Sequence, residues 1–180
     1  MEQPTFHADD VRSVAFLFSS DSQRVVLLER AAWKTFAPGR WTGIGGRLEG
    51  EEVTNPGSGA LRELREETGL TLADLRAWRF VADVLDPGAE VRLVYFTAVL
   101  PQEALPPCNE GTLHWVPITE YARYDMIENT RVVLDALLAQ GLPGKAEPQV
   151  LAALPWRGLI QREEGRALRL VLLSPDGNIP

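Results

Sequence analysis

The sequence holds one cysteine, Cys108, and two histidines, His7 and His114, in 180 residues. One thiol excludes an internal disulfide, and so few Cys and His leave no basis for a thiolate cluster, a histidine-built metal site or a catalytic triad. Basic residues are also in short supply, 18 Lys and Arg against 25 Asp and Glu, and no basic run occurs. With a net charge of −7 the chain has nothing to hold duplex DNA or an acidic bilayer, so neither a nucleic acid polymer nor a membrane is expected as partner. A small anion stays open through a bridging divalent cation. No apolar run reaches the roughly 20 residues of a membrane helix. The opening MEQPTFHADD puts acids where a secretory signal has its basic region. A cytoplasmic protein is the expectation.

The rest is an ordinary globular composition, 45% hydrophobic, long enough for one well-buried core, and a single domain over residues 1–180 is expected. VRSVAFLFSS and RVVLLER flank the polar DSQ and read as an antiparallel hairpin. WTGIGG follows as a short strand whose glycines allow close backbone approach to a ligand; it lacks the strand-to-helix context of a dinucleotide fingerprint. RAWRFVADVLD and EVRLVYFTAVL around PGA form a second hairpin, and TLHWVPI a further strand. IENTRVVLDALLAQG carries Val132, Val133, Ala136, Leu137 and Leu138 at helical spacing, with Gly141 beyond. After the linker-like GLPGKAEPQ, a closing hairpin, WRGLIQR and RALRLVLL around EEG, falls within residues 150–173. This order predicts an α/β (α+β) fold in which helices pack on a mixed β-sheet.

One stretch breaks local rules. LRELREETGL, residues 61–70, gathers Glu63, Glu66 and Glu67 on one helical face at roughly 200°, 140° and 240° from Leu61, while Leu64 lies at about 300°. Glu63 and Glu67 are a like-charge i,i+4 pair. Gly69 reads as the left-handed stop, so Glu66 and Glu67 sit at the negative end of the helix dipole. A conflict of this kind marks a functional site unless the face is simply solvated.

GGRLEGEE at 45–52 and RELREETGL at 62–70 together resemble the signature of the Nudix hydrolases, the MutT-like family. Gly46, Glu52, Arg62, Glu63, Leu64, Glu66, Glu67, Gly69 and Leu70 fill the pattern. Nine residues, VTNPGSGAL, separate Glu52 from Arg62 where the family has seven. Helix formers are scarce in NPGSG, so the two extra residues belong to the loop, with the helix starting at an Asn55 or Ser58 cap.

The resemblance implies an αβα sandwich and hydrolysis of a diphosphate linkage by water. The implied cofactor is Mg²⁺, with Mn²⁺ as a substitute, held by Glu63, Glu66, Glu67 and the Gly46 carbonyl; Glu110 is the acid offered by a later loop. Glu52 and Arg62 support these ligands, and Glu66 or Glu67 is a candidate general base. The implied substrate is a small nucleotide, foremost a nucleoside triphosphate cleaved to monophosphate and pyrophosphate. KTFAPGRWTGIGGRLEGEE looks most like the branch that removes oxidised purine nucleotides such as 8-oxo-dGTP. ADP-ribose, dinucleoside polyphosphates and a non-hydrolysing sensor are the alternatives, while the isoprenoid isomerase branch lacks its cysteine and histidines here. Substrate-binding candidates are Arg30 as a phosphate contact, Trp41 and Thr42 beside the glycines, and Asn129 as a purine reader or a helix cap.

Overall fold

The computed structural model describes residues 9–141, 154–162 and 168–173. His7, residues 142–149 of the linker-like stretch and the EEG turn lie outside the described residues. Among the described residues eight strands form one sheet: β1 (Asp10–Phe18), β2 (Arg24–Arg30), β3 (Trp41–Thr42), β4 (Arg76–Asp86), β5 (Val91–Val99), β6 (Gly111–Pro117), β7 (Trp156–Gln161) and β8 (Arg169–Leu172). The helices are α1 (Pro56–Thr68) and α2 (Glu128–Ala139). The order is β3-β2-β1-β5-β4-β7-β8, with β6 also on β2. It is a mixed sheet: β1 runs parallel to β5 and β4 parallel to β7, while the hairpin pairs are antiparallel.

The first hairpin is shorter than its sequence suggests. β1 meets β2 only at Leu17↔Val26 and Phe18↔Val25, next to the turn, while its other edge pairs with β5 along the whole strand, from Asp10↔Val91 to Phe18↔Val99. The edge of β1 that β2 vacates is taken by the glycine segment, through the bridges Ala15↔Ile44 and Arg12↔Arg47. Gly43 and Gly45 are required there. A Cβ on Gly43 would meet the Ala15 carbonyl oxygen at 2.7 Å, and one on Gly45, whose φ is +147°, the Ser13 carbonyl oxygen at 2.3 Å.

Alternation along β1 builds the two sides of the sandwich. Val14, Phe16 and Phe18 join a core with Val133, Leu134 and Leu137 of α2. Val11, Ala15 and Leu17 pack among clusters that include Ala60 and Leu64 of α1. Helix α1 starts where Asn55 is followed by Pro56, and stops at Gly69, whose φ of +75° lets its N–H close on Arg65 O at 2.8 Å. Of the nine residues between Glu52 and Arg62, Pro56–Leu61 already belong to α1, and the chain before it folds as a 3₁₀ turn over Gly50–Val53. No helix among the described residues is long and apolar enough to cross a membrane.

Leu64 ties α1 to the sheet and is fully buried, at 0% exposed. Leu64→Ala should therefore lower stability by about 2–5 kcal/mol, through lost transfer energy and a cavity. Urea unfolding measures it; a loss below about 1 kcal/mol would mean that α1 is not held by this contact.

Candidate active site

One guanidinium organises the acids of α1. Arg62 Nε and Nη2 fork onto Glu52 Oε1 and Oε2 at 2.7 and 2.8 Å, and Nη1 lies 2.9 Å from both Glu63 Oε1 and Glu66 Oε2. Nη2 also donates to Arg47 O at 3.1 Å. Glu52 in turn accepts from the Glu49 backbone N–H at 3.0 Å, which pins the 3₁₀ turn. The Arg62 fork, helped by that N–H, pulls the Glu52 carboxyl down to about 2. Glu63 moves the other way, because burial outweighs the pull of Arg62. Its carboxylate abuts the glycine segment so closely that a Cβ on Gly46 would meet Glu63 Oε2 at 2.4 Å.

Glu67 carries the strongest perturbation of these acids. Burial, then the charges of Glu110 and Glu63, push its carboxyl up to about 8, against the Gly45 N–H and the nearby Arg30. Its Oε2 is buried without a hydrogen-bond donor. Glu110 arrives from the loop before β6. That loop is docked on the end of α1 by Asn109, whose backbone N–H donates to Glu67 O at 3.2 Å and whose side-chain amide donates to Glu66 O at 3.1 Å. Lys34 forms an ion pair with Glu110. Neither Asn109 nor Lys34 is legible in the sequence, since each finds its partner more than forty residues away. Asn109 sits inside CNEG, the stretch that supplied Glu110, but nothing local marks it as a cap for a distant helix.

These groups suit a hard divalent cation: the donors are all oxygens, and Glu67 Oε2 stands buried and unpaired among like charges. In the present rotamers no three His, Cys, Asp or Glu side chains among the described residues are set to hold a metal ion. Four of the acids are engaged by cations instead, Glu52, Glu63 and Glu66 by Arg62 and Glu110 by Lys34. The Gly46 carbonyl already accepts from Ser13 N at 2.9 Å, leaving one lone pair.

Beside the acids opens a cavity of about 270 Å³, whose wall includes Gly45 and Gly46 and, from other elements, Arg30, Thr42, Asn129 and Thr130. Arg30 is braced by its Nε donating to Phe36 O at 3.1 Å, with the guanidinium 5.7 Å from the Phe36 ring centre. Thr42 is buried, its hydroxyl 3.5 Å from that of Thr130. Trp41 is not part of the cavity wall and packs on His114 and Tyr124, at ring-centre distances of 4.8 and 4.3 Å. Successive residues of a strand face opposite sides, so with Thr42 at the cavity its neighbour turns away. Asn129 is no cap either. Ile127 takes that position, its N–H held by Trp41 O at 2.9 Å, and Asn129 is the second residue of α2.

Comparison with known proteins agrees with this architecture. The model of the NUDIX domain family matches residues 9–137. Among solved structures, MutT from Aliivibrio salmonicida and Vibrio cholerae shares 23% identity, covers 73% of this chain and 98% of its own, and superposes with a TM-score of 0.55. A NUDIX hydrolase from Nitrosomonas europaea is 20% identical over 87% of this chain and 81% of its own, with a TM-score of 0.63. An ADP-ribose pyrophosphatase from Streptococcus suis is 17% identical over 77% of this chain and 96% of its own, at 0.55. At these identities the superpositions speak for the fold, and the family match spans well over half of the sequence. The chain belongs to the Nudix hydrolase family.

Proposed function

We propose that this protein hydrolyses a nucleoside triphosphate to the monophosphate and pyrophosphate, with Mg²⁺ as cofactor, Mn²⁺ substituting, and purine nucleotides as the preferred class. The observation that carries the reading is the junction of two chemically different surfaces. A crowded carboxylate wall, Glu63 and Glu67 with Glu110, meets a neutral hydrogen-bonding end at Thr42, Asn129 and Thr130 through the glycine segment. A phosphate chain complexed with a cation fits the first, and an uncharged heteroaromatic base the second. Residues 1–180 are read as one domain, with the closing hairpin completing the sheet.

In this reading Glu63, Glu66 and Glu67 hold the cation, joined by Glu110 and the Gly46 carbonyl. When bound, the cation neutralises charge developing on the phosphates and lowers the pKa of a water. Arg30, on the cavity wall and within electrostatic reach of Glu67, binds a phosphate oxygen. Glu52 keeps Arg62 in place by a two-point fork, and Arg62 in turn orients Glu63 and Glu66. The proton of the attacking water passes to Glu66 or Glu67. The deciding experiment is a phosphate-release screen with Mg²⁺ over purine and pyrimidine triphosphates, 8-oxo-dGTP, ADP-ribose and dinucleoside polyphosphates. Turnover confined to ADP-ribose or a dinucleotide would replace the triphosphate reading, and binding with no turnover would make the protein a sensor.

Three expectations follow for the carboxylates. Glu67→Gln should lower kcat by about 10²–10⁴-fold while the fold persists. Near-parental turnover at saturating Mg²⁺ would remove Glu67 from the site. Mg²⁺ should raise the melting temperature of the parent by mass action, about 2.7 kcal/mol at a concentration 100 times Kd, and should raise that of Glu63→Gln by less. Equal shifts would place the cation elsewhere. In EDTA the sign of the pH dependence is fixed by Glu67, whose carboxyl is raised to about 8 from its ordinary 4.5. The folded state favours its protonated form, so this contribution is fully present below pH 4.5 and is lost as pH rises through 8. The melting-temperature difference, Glu67→Gln minus parent, should grow between pH 5 and 8.5 in differential scanning calorimetry. A flat difference would show that Glu67 is not held in a carboxylate-repelling environment.

A further inference from the structure

Strand β7 lies beyond the segment that the family model matches, yet the residue after it reaches the cavity wall from behind. Asp86, the last residue of β4, is fully buried at 0% exposed, and four donors converge on its carboxylate. Arg162 supplies two, Nε to Oδ1 at 3.2 Å and Nη2 to Oδ2 at 2.6 Å. The Ala89 backbone N–H donates to Oδ1 at 3.2 Å, and Asn129 Nδ2 to Oδ2 at 3.3 Å. The Arg162 stem crosses the β4–β5 turn so tightly that a Cβ on Gly88 would meet its Cδ and Nε at 2.5 Å. Its Nη1 also lies 3.9 Å from Glu128, the first residue of α2.

A carboxylate bound by a guanidinium offers acceptors only, so the Asn129 group that faces it is the NH₂. That leaves Oδ1 as the other end of an amide whose residue lines the cavity. Its one partner among the described residues, the Thr130 hydroxyl at 3.4 Å, is long for an O–H···O bond and leaves acceptor capacity. We propose that Arg162, acting through Asp86, is a positioning residue that locks the Asn129 amide with its carbonyl oxygen toward the cavity, so that the site selects rings presenting an N–H or NH₂ donor. The proposal rests on the reading that the base of the nucleotide occupies the Asn129 end. A ring without such a donor would bury the Asn129 oxygen unpaired, which is the arrangement that discriminates most strongly between otherwise similar ligands.

Arg162→Lys keeps the charge but not the two-point fork, and Arg162→Ala removes both. With the full chain and Mg²⁺, KM and kcat are measured for ATP, GTP and purine riboside triphosphate, whose six-membered ring carries no donor. In Arg162→Ala, KM for ATP and GTP should rise about tenfold, with kcat changed by less than about twofold and KM for the unsubstituted purine unmoved. Arg162→Lys should fall between Arg162→Ala and the parent. Asn129→Ala should show the same pattern, and the double variant should be no worse than the poorer single one. An independent readout is the Asn129 side-chain amide in ¹⁵N spectra, where one proton should be protected in the parent and lose protection in Arg162→Ala. Unchanged amide signals, or Arg162 and Asn129 effects that multiply, would overturn the relay. Altered amide signals together with KM values that move alike for all three nucleotides would support the relay and refute the base-reading role.

Discussion

Three carboxylates on one side of a helix end, with two more close by, repel one another unless something positive stands among them. In this protein the something is Arg62, which reaches Glu52, Glu63 and Glu66 from a single side chain. Its grip on Glu52 also fastens the 3₁₀ turn before α1, because Glu52 is at once the partner of Arg62 and the cap of the Glu49 N–H. Helix, preceding loop and site are therefore one electrostatic unit. Arginine suits the task because a planar fork serves several oxygens at once, which a lysine ammonium does less well.

The unit is useful because of where the sheet sets it. β1 keeps β5 along one edge for its whole length but meets β2 on the other at only two residue pairs, and the glycine segment takes the rest of that edge. This brings Gly46 against Glu63 and leaves the neighbouring wall open to Thr42 and to the first turn of α2. Cavity and carboxylates share the glycine segment as a common boundary, and a side chain at Gly43 or Gly45 would push that boundary off β1.

What could be read from the sequence was local. The acids of α1 declare themselves by spacing within eight residues, Gly69 by its place at the end of a helical run, and the strands by their composition. Thr42 and Arg30, which the family resemblance singles out, both line the cavity. Trp41 is as near the glycines in sequence as Thr42, but strand alternation turns it to the opposite side, against His114 and Tyr124. The reading of Asn129 as a cap failed because the preceding Ile127 is anchored by a backbone bond to Trp41, and α2 starts earlier. Lys34, Asn109, Asp86 and Arg162 carry no local signal; Asp86 meets Arg162 across 76 positions of sequence. The parallel pairing of β1 with β5 is equally silent, since either strand alone reads as one arm of a hairpin.

Asn109 spans the gap between two parts of the chain that are otherwise unrelated. Its backbone and side chain both close on the last carbonyls of α1, and the Ala31 N–H binds the Glu110 carbonyl at 2.9 Å, so Glu110 takes its position from α1 and the segment after β2 rather than from the strand that precedes it. The proline-rich stretch 101–107 joining that strand to Asn109 has its own anchor, the Arg24 fork on Glu103 and the Trp115 Nε1 bond to Glu103 O at 2.8 Å. A change of length there would be absorbed between two fixed points, Glu103 and Asn109, and the second of them sets where the fifth carboxylate stands.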